Sequence, residues 1–66
     1  MHLAENLKKL RKYKKLSIKE LALKLDVCPS TISSWEKGKT KPNLKYVIKI
    51  VKYFGITIED LIKKSE

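Results

Sequence analysis

Apolar residues recur along the chain at helical spacing, and each stripe is bounded by a residue that starts or stops a helix. Leu3, Leu7 and Leu10 fall at i, i+4 and i+7 with lysines on most other faces, which predicts a first helix over 3–14. Ser17 and Glu20 form a capping box that opens a second helix, whose stripe is Ile18, Leu21, Ala22 and Leu25. Asp26 ends it, in a turn where a left-handed backbone is needed and Asp is tolerated. Pro29 suits the first turn of a third helix, which carries Ile32 and Trp35 inward and stops before Gly38. After the basic loop Gly38–Pro42, Asn43 caps a fourth helix with apolar positions Leu44, Val47, Ile48, Val51 and Phe54, ending at Gly55. Thr57 and Asp60 cap a short fifth helix with Ile58, Leu61 and Ile62. The β-branched residues at 47–51 and 56–58 invite strands, but their spacing and the flanking caps favour helix. The expected architecture is all-α, five helices in one domain over 1–66.

Residues 17–38 are the informative stretch. Two short helices are joined by Asp26-Val27-Cys28, with the small Ala22 on the inner face where a second helix approaches closely. This is the pattern of a helix-turn-helix. On the outer face of the third helix, Ser30, Ser34 and Lys37 fall at i, i+4 and i+7, with Pro29 and Ser33 beside them. Solvated helices usually carry long charged residues at such positions. A short hydroxylic face instead allows close approach to base edges, and Lys37, Lys39 and Lys41 beyond it suit phosphates. The competing account is an ordinary solvated surface of serines and lysines.

Charge strengthens the first account. Sixteen Lys and Arg stand against seven Asp and Glu, a formal net charge of +9, which points to a polyanionic partner: nucleic acid or an anionic membrane surface. A membrane-bound helix would need an uncovered, aromatic-rich apolar face, and these stripes are consumed by the core. Fifteen of the sixteen basic residues are Lys. The single Arg, Arg11, lies at the edge of the first buried stripe, and Glu36 lies similarly on the third helix, so a bidentate Arg11–Glu36 ion pair is expected to tie the two together.

These residues resemble the phage-repressor and Cro-type helix-turn-helix family, also called the xenobiotic-response-element family. The resemblance runs from Leu3 to Leu61 and is carried by Ser17-Ile-Lys-Glu-Leu-Ala, by Val27-Cys-Pro-Ser-Thr-Ile-Ser-Ser-Trp-Glu-Lys-Gly, by Lys41-Pro42 and by Phe54-Gly-Ile-Thr-Ile-Glu-Asp-Leu61. It implies a five-helix, lambda-repressor-like DNA-binding domain that acts as a transcriptional regulator, usually as a dimer on a two-fold-related operator. By position it implies that Pro29, Ser30, Ser33 and Ser34 face bases. It likewise gives Thr31, Lys37, Lys39, Lys41 and Asn43 to the DNA backbone and makes Arg11 and Glu36 the family's ion pair. The chain departs from the pattern at three places. Ile18 stands where a DNA-touching Gln is common, leaving the helix N-terminus and nearby Lys19 for a phosphate. Asp26 replaces a common Gly, and Cys28 a common hydroxylic cap.

The expected function is sequence-specific binding of double-stranded DNA by a small regulator, a repressor, with helix 29–37 in the major groove. The alternative is an antitoxin or adaptor whose main partner is a protein. Ile58 and Ile62, with Tyr53 or Tyr46, supply either a homodimer interface or the cover of a monomer's core. His2 and Cys28, without a Gly-rich phosphate loop or carboxylate cluster, give no enzyme site. No cofactor, metal or small-molecule ligand is expected. Cys28 is either an oxidant-sensitive thiol beside the third helix or a small turn residue. A single cysteine, no apolar run long enough to span a bilayer and no signal-like segment after Met1 place the chain in the cytoplasm without a membrane partner.

Overall fold

The computed structural model describes residues 2–64, and among these every regular element is a helix. The order is α1 (Leu3–Tyr13), α2 (Ile18–Leu25), α3 (Pro29–Glu36), α4 (Leu44–Phe54) and α5 (Ile58–Ile62). Local chemistry sets the boundaries. The Ser17 hydroxyl accepts from the Glu20 backbone N–H at 3.0 Å, while the Glu20 carboxylate accepts from Ser17 N at 2.8 Å. Thr57 and Asp60 repeat that reciprocal pair at 3.0 and 3.2 Å. Asn43 Oδ1 accepts from Tyr46 N at 3.2 Å. Gly38 and Gly55 both adopt positive φ, where a Cβ would be strained, and Gly55 thereby closes α4.

Leu3, Leu7, Leu21, Ala22, Leu25, Ile32, Trp35, Ile50, Val51 and Leu61 form one buried cluster contributed by all five helices. Ala22 and Ile32 are fully buried where α2 meets α3, so the small side chain at 22 admits the second helix. A fully buried Leu or Ile contributes about 1.5–3 kcal/mol, so six such side chains dominate the stability of a domain this small.

Three details differ from the sequence expectation. The first helix ends at Tyr13 rather than residue 14, because Lys15 enters the left-handed region at φ 57° and turns the chain toward Ser17. The third helix ends at Glu36, with Lys37 as its C-cap rather than its last residue. On α4, Ile50 is fully buried, whereas Leu44 and Ile48 are exposed. The apolar residues at 47, 48, 50 and 51 support more than one stripe at helical spacing, and the approach of α2 and α5 selects the one containing Ile50 and Val51.

Buried Asn6 has no precedent in the apolar pattern. Its Nδ2 donates to Leu61 O and Lys63 O, both at 2.6 Å, and His2 N donates to Ile62 O at 3.1 Å. Five residues are too few for a stable helix alone. The N-terminal part of α1 therefore satisfies three carbonyls at the end of α5 while Leu61 plugs into the core.

Candidate nucleic-acid interface

Helix α3 is pinned by its inner side. Ile32 is completely buried and Trp35 nearly so, and the Trp35 ring packs on Tyr46 of α4 with centroids 5.6 Å apart. At 100° per residue, the opposite side must carry Ser30, Ser33, Ser34 and Lys37. Pro29, Ser30 and Lys37 are exposed; Thr31, Ser33 and Ser34 are partly exposed. The outer face is thus short in side chain and open at its N-terminal end. Cys28, exposed at the N-cap, provides no side-chain cap, so the Ser30 N–H at the start of α3 has no capping partner.

After α3 the chain folds back on itself. Lys39 N donates to Ser34 O at 3.0 Å and Gly38 N to Trp35 O at 3.2 Å, so the basic loop is held against the last turn of α3. Lys39 and Lys41 are exposed on it. Asn43 is exposed but its Oδ1 is used in capping α4, which leaves its amide nitrogen as the donor available to an anion. Lys19 is exposed in the first turn of α2. A cation there opposes the helix dipole, a placement with a small energetic cost that an approaching anion would reverse.

The electrostatics of this face follow from one pairing. Glu36 is the sole acidic residue between positions 27 and 58, a stretch that holds six lysines. Its side chain is 5% exposed and is met by Arg11, which donates Nε to Oε2 at 2.6 Å and Nη2 to Oε1 at 3.0 Å. Arg11 Nη1 donates to Leu16 O at 2.8 Å. The hydrogen bonds to Glu36 raise the Arg11 pKa, so the guanidinium stays charged and cancels the one negative charge of that stretch. What remains is positive.

Lys45 belongs to the same surface and was not singled out by sequence reasoning. It sits in the first turn of α4 beyond Asn43, exposed, with Nζ 5.6 Å from the Tyr46 ring. Lys49 also lies over Tyr46, at 5.3 Å, and its Nζ is 3.5 Å from Leu25 O at the end of α2. The missing signal was spacing across the loop. Lys37, Lys39, Lys41 and Lys45 form a near-alternating series that continues past Pro42 into the helix.

A helix-turn-helix family model matches residues 7–61. The chain belongs to the helix-turn-helix family. Its type is the xenobiotic-response-element one, and the family and fold are those of DNA-binding transcription regulators, which are not enzymes. The HTH-type transcriptional activator BcrR of Enterococcus faecalis is 39% identical over 66 residues, covering all of this chain and 32% of that protein. An uncharacterized HTH-type transcriptional regulator of Methanocaldococcus jannaschii is 47% identical over 55 residues, 83% of each chain. The N-terminal DNA binding domain of SinR from Bacillus subtilis superposes with a TM-score of 0.85 at 26% identity, over 98% of this chain and 96% of that one. The chain spans about a third of BcrR but nearly the whole SinR domain. Among the described residues, no helix is long and apolar enough to cross a membrane.

Proposed function

We propose that this helix-turn-helix chain regulates transcription by inserting α3 into the major groove of duplex DNA, with Pro29, Ser30, Ser33 and Ser34 toward base edges. Lys19, Thr31, Lys37, Lys39, Lys41 and Asn43 hold the backbone. The observation that carries the reading is the orientation of α3: Ile32 and Trp35 are buried, so its serine face is turned outward beside the lysine loop. Affinity then comes mainly from lysine–phosphate contacts and counterion release. The reading face holds no Arg, Asn or Gln, so strong bidentate contacts to guanine or adenine are absent and direct readout is modest. Serine hydroxyls, a Pro29 contact to a thymine methyl, bridging water and DNA shape supply the selectivity.

Repression is the direction we assign, because occupancy of a promoter suffices for it, whereas activation requires a further contact with the transcription machinery. The protein works in the cytoplasm, where its DNA is. It acts as a homodimer on two-fold-related half-sites. Ile58, 42% exposed, and the half-buried Ile62 and Tyr53 provide apolar surface for that interface, while Tyr46 is occupied with Trp35 and two lysines. Neither the family nor the relatives named above favour an antitoxin or adaptor.

Selection of bound duplexes from a random pool, followed by titrations across salt, tests the reading. A defined motif with two-fold symmetry and a steep salt dependence are expected. Failure of any duplex to bind at low ionic strength would overturn it. Sedimentation of wild type and Ile58→Lys tests the dimer, and a wild-type monomer at every concentration, with and without DNA, would refute it.

A further inference from the structure

Four lysines account for the phosphate contacts named above, yet the chain carries fifteen. The surplus is not evenly spread. Residues 6–19 contain seven basic residues and no acidic one, and five of the seven lie on α1 or in the turn after it as exposed lysines. Within them Lys8 and Lys12 fall at i and i+4 on one face of α1, and Lys15 follows in the left-handed turn, where its N donates to Lys12 O at 2.9 Å. None of the three has a salt-bridge partner among the described residues, because Glu5 is taken by His2 and Glu36 by Arg11.

The two ends of that row meet residues already assigned to phosphates. Lys8 and Lys37 line one concavity between α1 and the C-terminal end of α3. Lys15 lies in the turn that leads into the Ser17 cap and Lys19 of α2. The turn is not a loose tether: Leu16 N donates to Arg11 O at 3.1 Å and Leu16 O accepts from Arg11 Nη1, so it is clamped to the residue that holds α3 through Glu36. Lys12 and Lys15 gain from the negative end of the α1 dipole, but that benefit does not extend to Lys8 in mid-helix.

We infer that the Lys8–Lys12–Lys15 row is a further phosphate-binding strip, which grips the backbone of the same duplex that α3 reads and joins the contacts at Lys37 to those at Lys19. The inference rests on the DNA-binding reading above. It enlarges the electrostatic footprint without adding sequence selectivity, since lysine–phosphate contacts carry none.

The test compares two triple variants of the full chain: Lys8→Gln/Lys12→Gln/Lys15→Gln, and Lys24→Gln/Lys52→Gln/Lys64→Gln, which removes equal charge from other exposed positions. Binding to one selected duplex is measured from low to moderate salt, with melting curves as a check on folding. The row variant should lower the log–log salt slope by about 0.9 per lost contact, roughly 2.7 in all, and weaken every sequence alike. The control should leave the slope near that of wild type. Equal slopes for wild type and row variant, or an equal drop in the control, would overturn the strip while leaving DNA binding by α3 intact. Should the row variant fail to fold, Lys8→Gln alone, exposed in mid-helix, must still lower the slope by about 0.9. A wild-type chain that binds no duplex would remove both the strip and the reading beneath it.

Discussion

Arg11 and Glu36, on different helices, meet as two parallel hydrogen bonds of 2.6 and 3.0 Å, with side chains 11% and 5% exposed. The same guanidinium holds Leu16 O. One residue therefore joins α1, the turn before α2 and the end of α3. Glu36→Gln leaves the guanidinium largely buried without its counter-charge. A loss of about 3 kcal/mol in urea unfolding is expected, at the low end for breaking a buried pair. Arg11→Lys should also destabilise, because an ammonium cannot reproduce the planar fork. Unchanged melting together with unchanged DNA affinity in Glu36→Gln would show that the pair does not position α3.

The proposed base-facing and backbone-facing roles predict different phenotypes. Ser34→Ala should change which sequences are preferred, with a small effect on non-specific binding, whereas Lys39→Ala should weaken all sequences alike and reduce the salt slope by about 1. Competition titrations with selected and scrambled duplexes separate the two. Identical losses on every sequence for both variants would contradict the division of roles.

Acid should loosen two helix starts. The backbone N–H of Ser17 holds the Glu20 carboxyl below its ordinary pKa, and the backbone N–H of Thr57 does the same for Asp60, aided by Lys63. A depressed folded-state pKa gives stability that is complete above the unfolded value and is lost as pH falls through the folded one. The melting temperature should therefore decline below about pH 4, the ordinary carboxylate range. In Glu20→Gln/Asp60→Asn that decline should be shallower. An identical pH profile in the double variant would rule out the caps as its source.

Asn6 presents a comparable case without charge. Its two bonds to Leu61 O and Lys63 O are the side-chain anchor of α5. Asn6→Ala should cost about 1–3 kcal/mol, the penalty for leaving buried polar groups unsatisfied. Hydrogen exchange should show α5 opening first. Protection in α5 equal to that of wild type would mean Leu61 alone suffices.

Lys15 and Asp26 both occupy the left-handed region, at φ 57° and 58°. Glycine would relieve about 1 kcal/mol at either site. Asp26→Gly should raise the melting temperature without altering the salt slope. Lys15→Gly should raise it too, yet lower the slope. Parallel behaviour of the two variants in DNA binding would separate Lys15 from any role at the backbone.

Much of this protein is legible in its sequence, for reasons that can be located. Helix boundaries rest on local chemistry, and Ser17, Asn43 and Thr57 mark their caps in any context that permits a helix. The inward pair Ile32 and Trp35 determines which side of α3 is left over, so the serine face is readable from periodicity. Arg11 and Glu36 stand at the edges of stripes that must meet. Asn6 was not legible, because a polar residue in an amphipathic helix looks solvated until another helix end arrives over it. Nor was Ile50, since several stripes of α4 satisfy the same spacing. Lys45 escaped because its link to Lys37, Lys39 and Lys41 runs across Pro42 into α4, where it looks like any other lysine of a basic helix.

The amino-acid order alone thus determined five helices, their caps, the turn at Asp26 and the outward face of α3. All of these depend on neighbours within about four residues or on an amphipathic period. Tertiary structure alone decided which side of α4 is buried, that α1 completes the end of α5, and that Lys8 and Lys37 line one concavity. Such relationships join residues far apart in the chain, and only the packing of one helix upon another can choose among the partners that local rules leave equally acceptable.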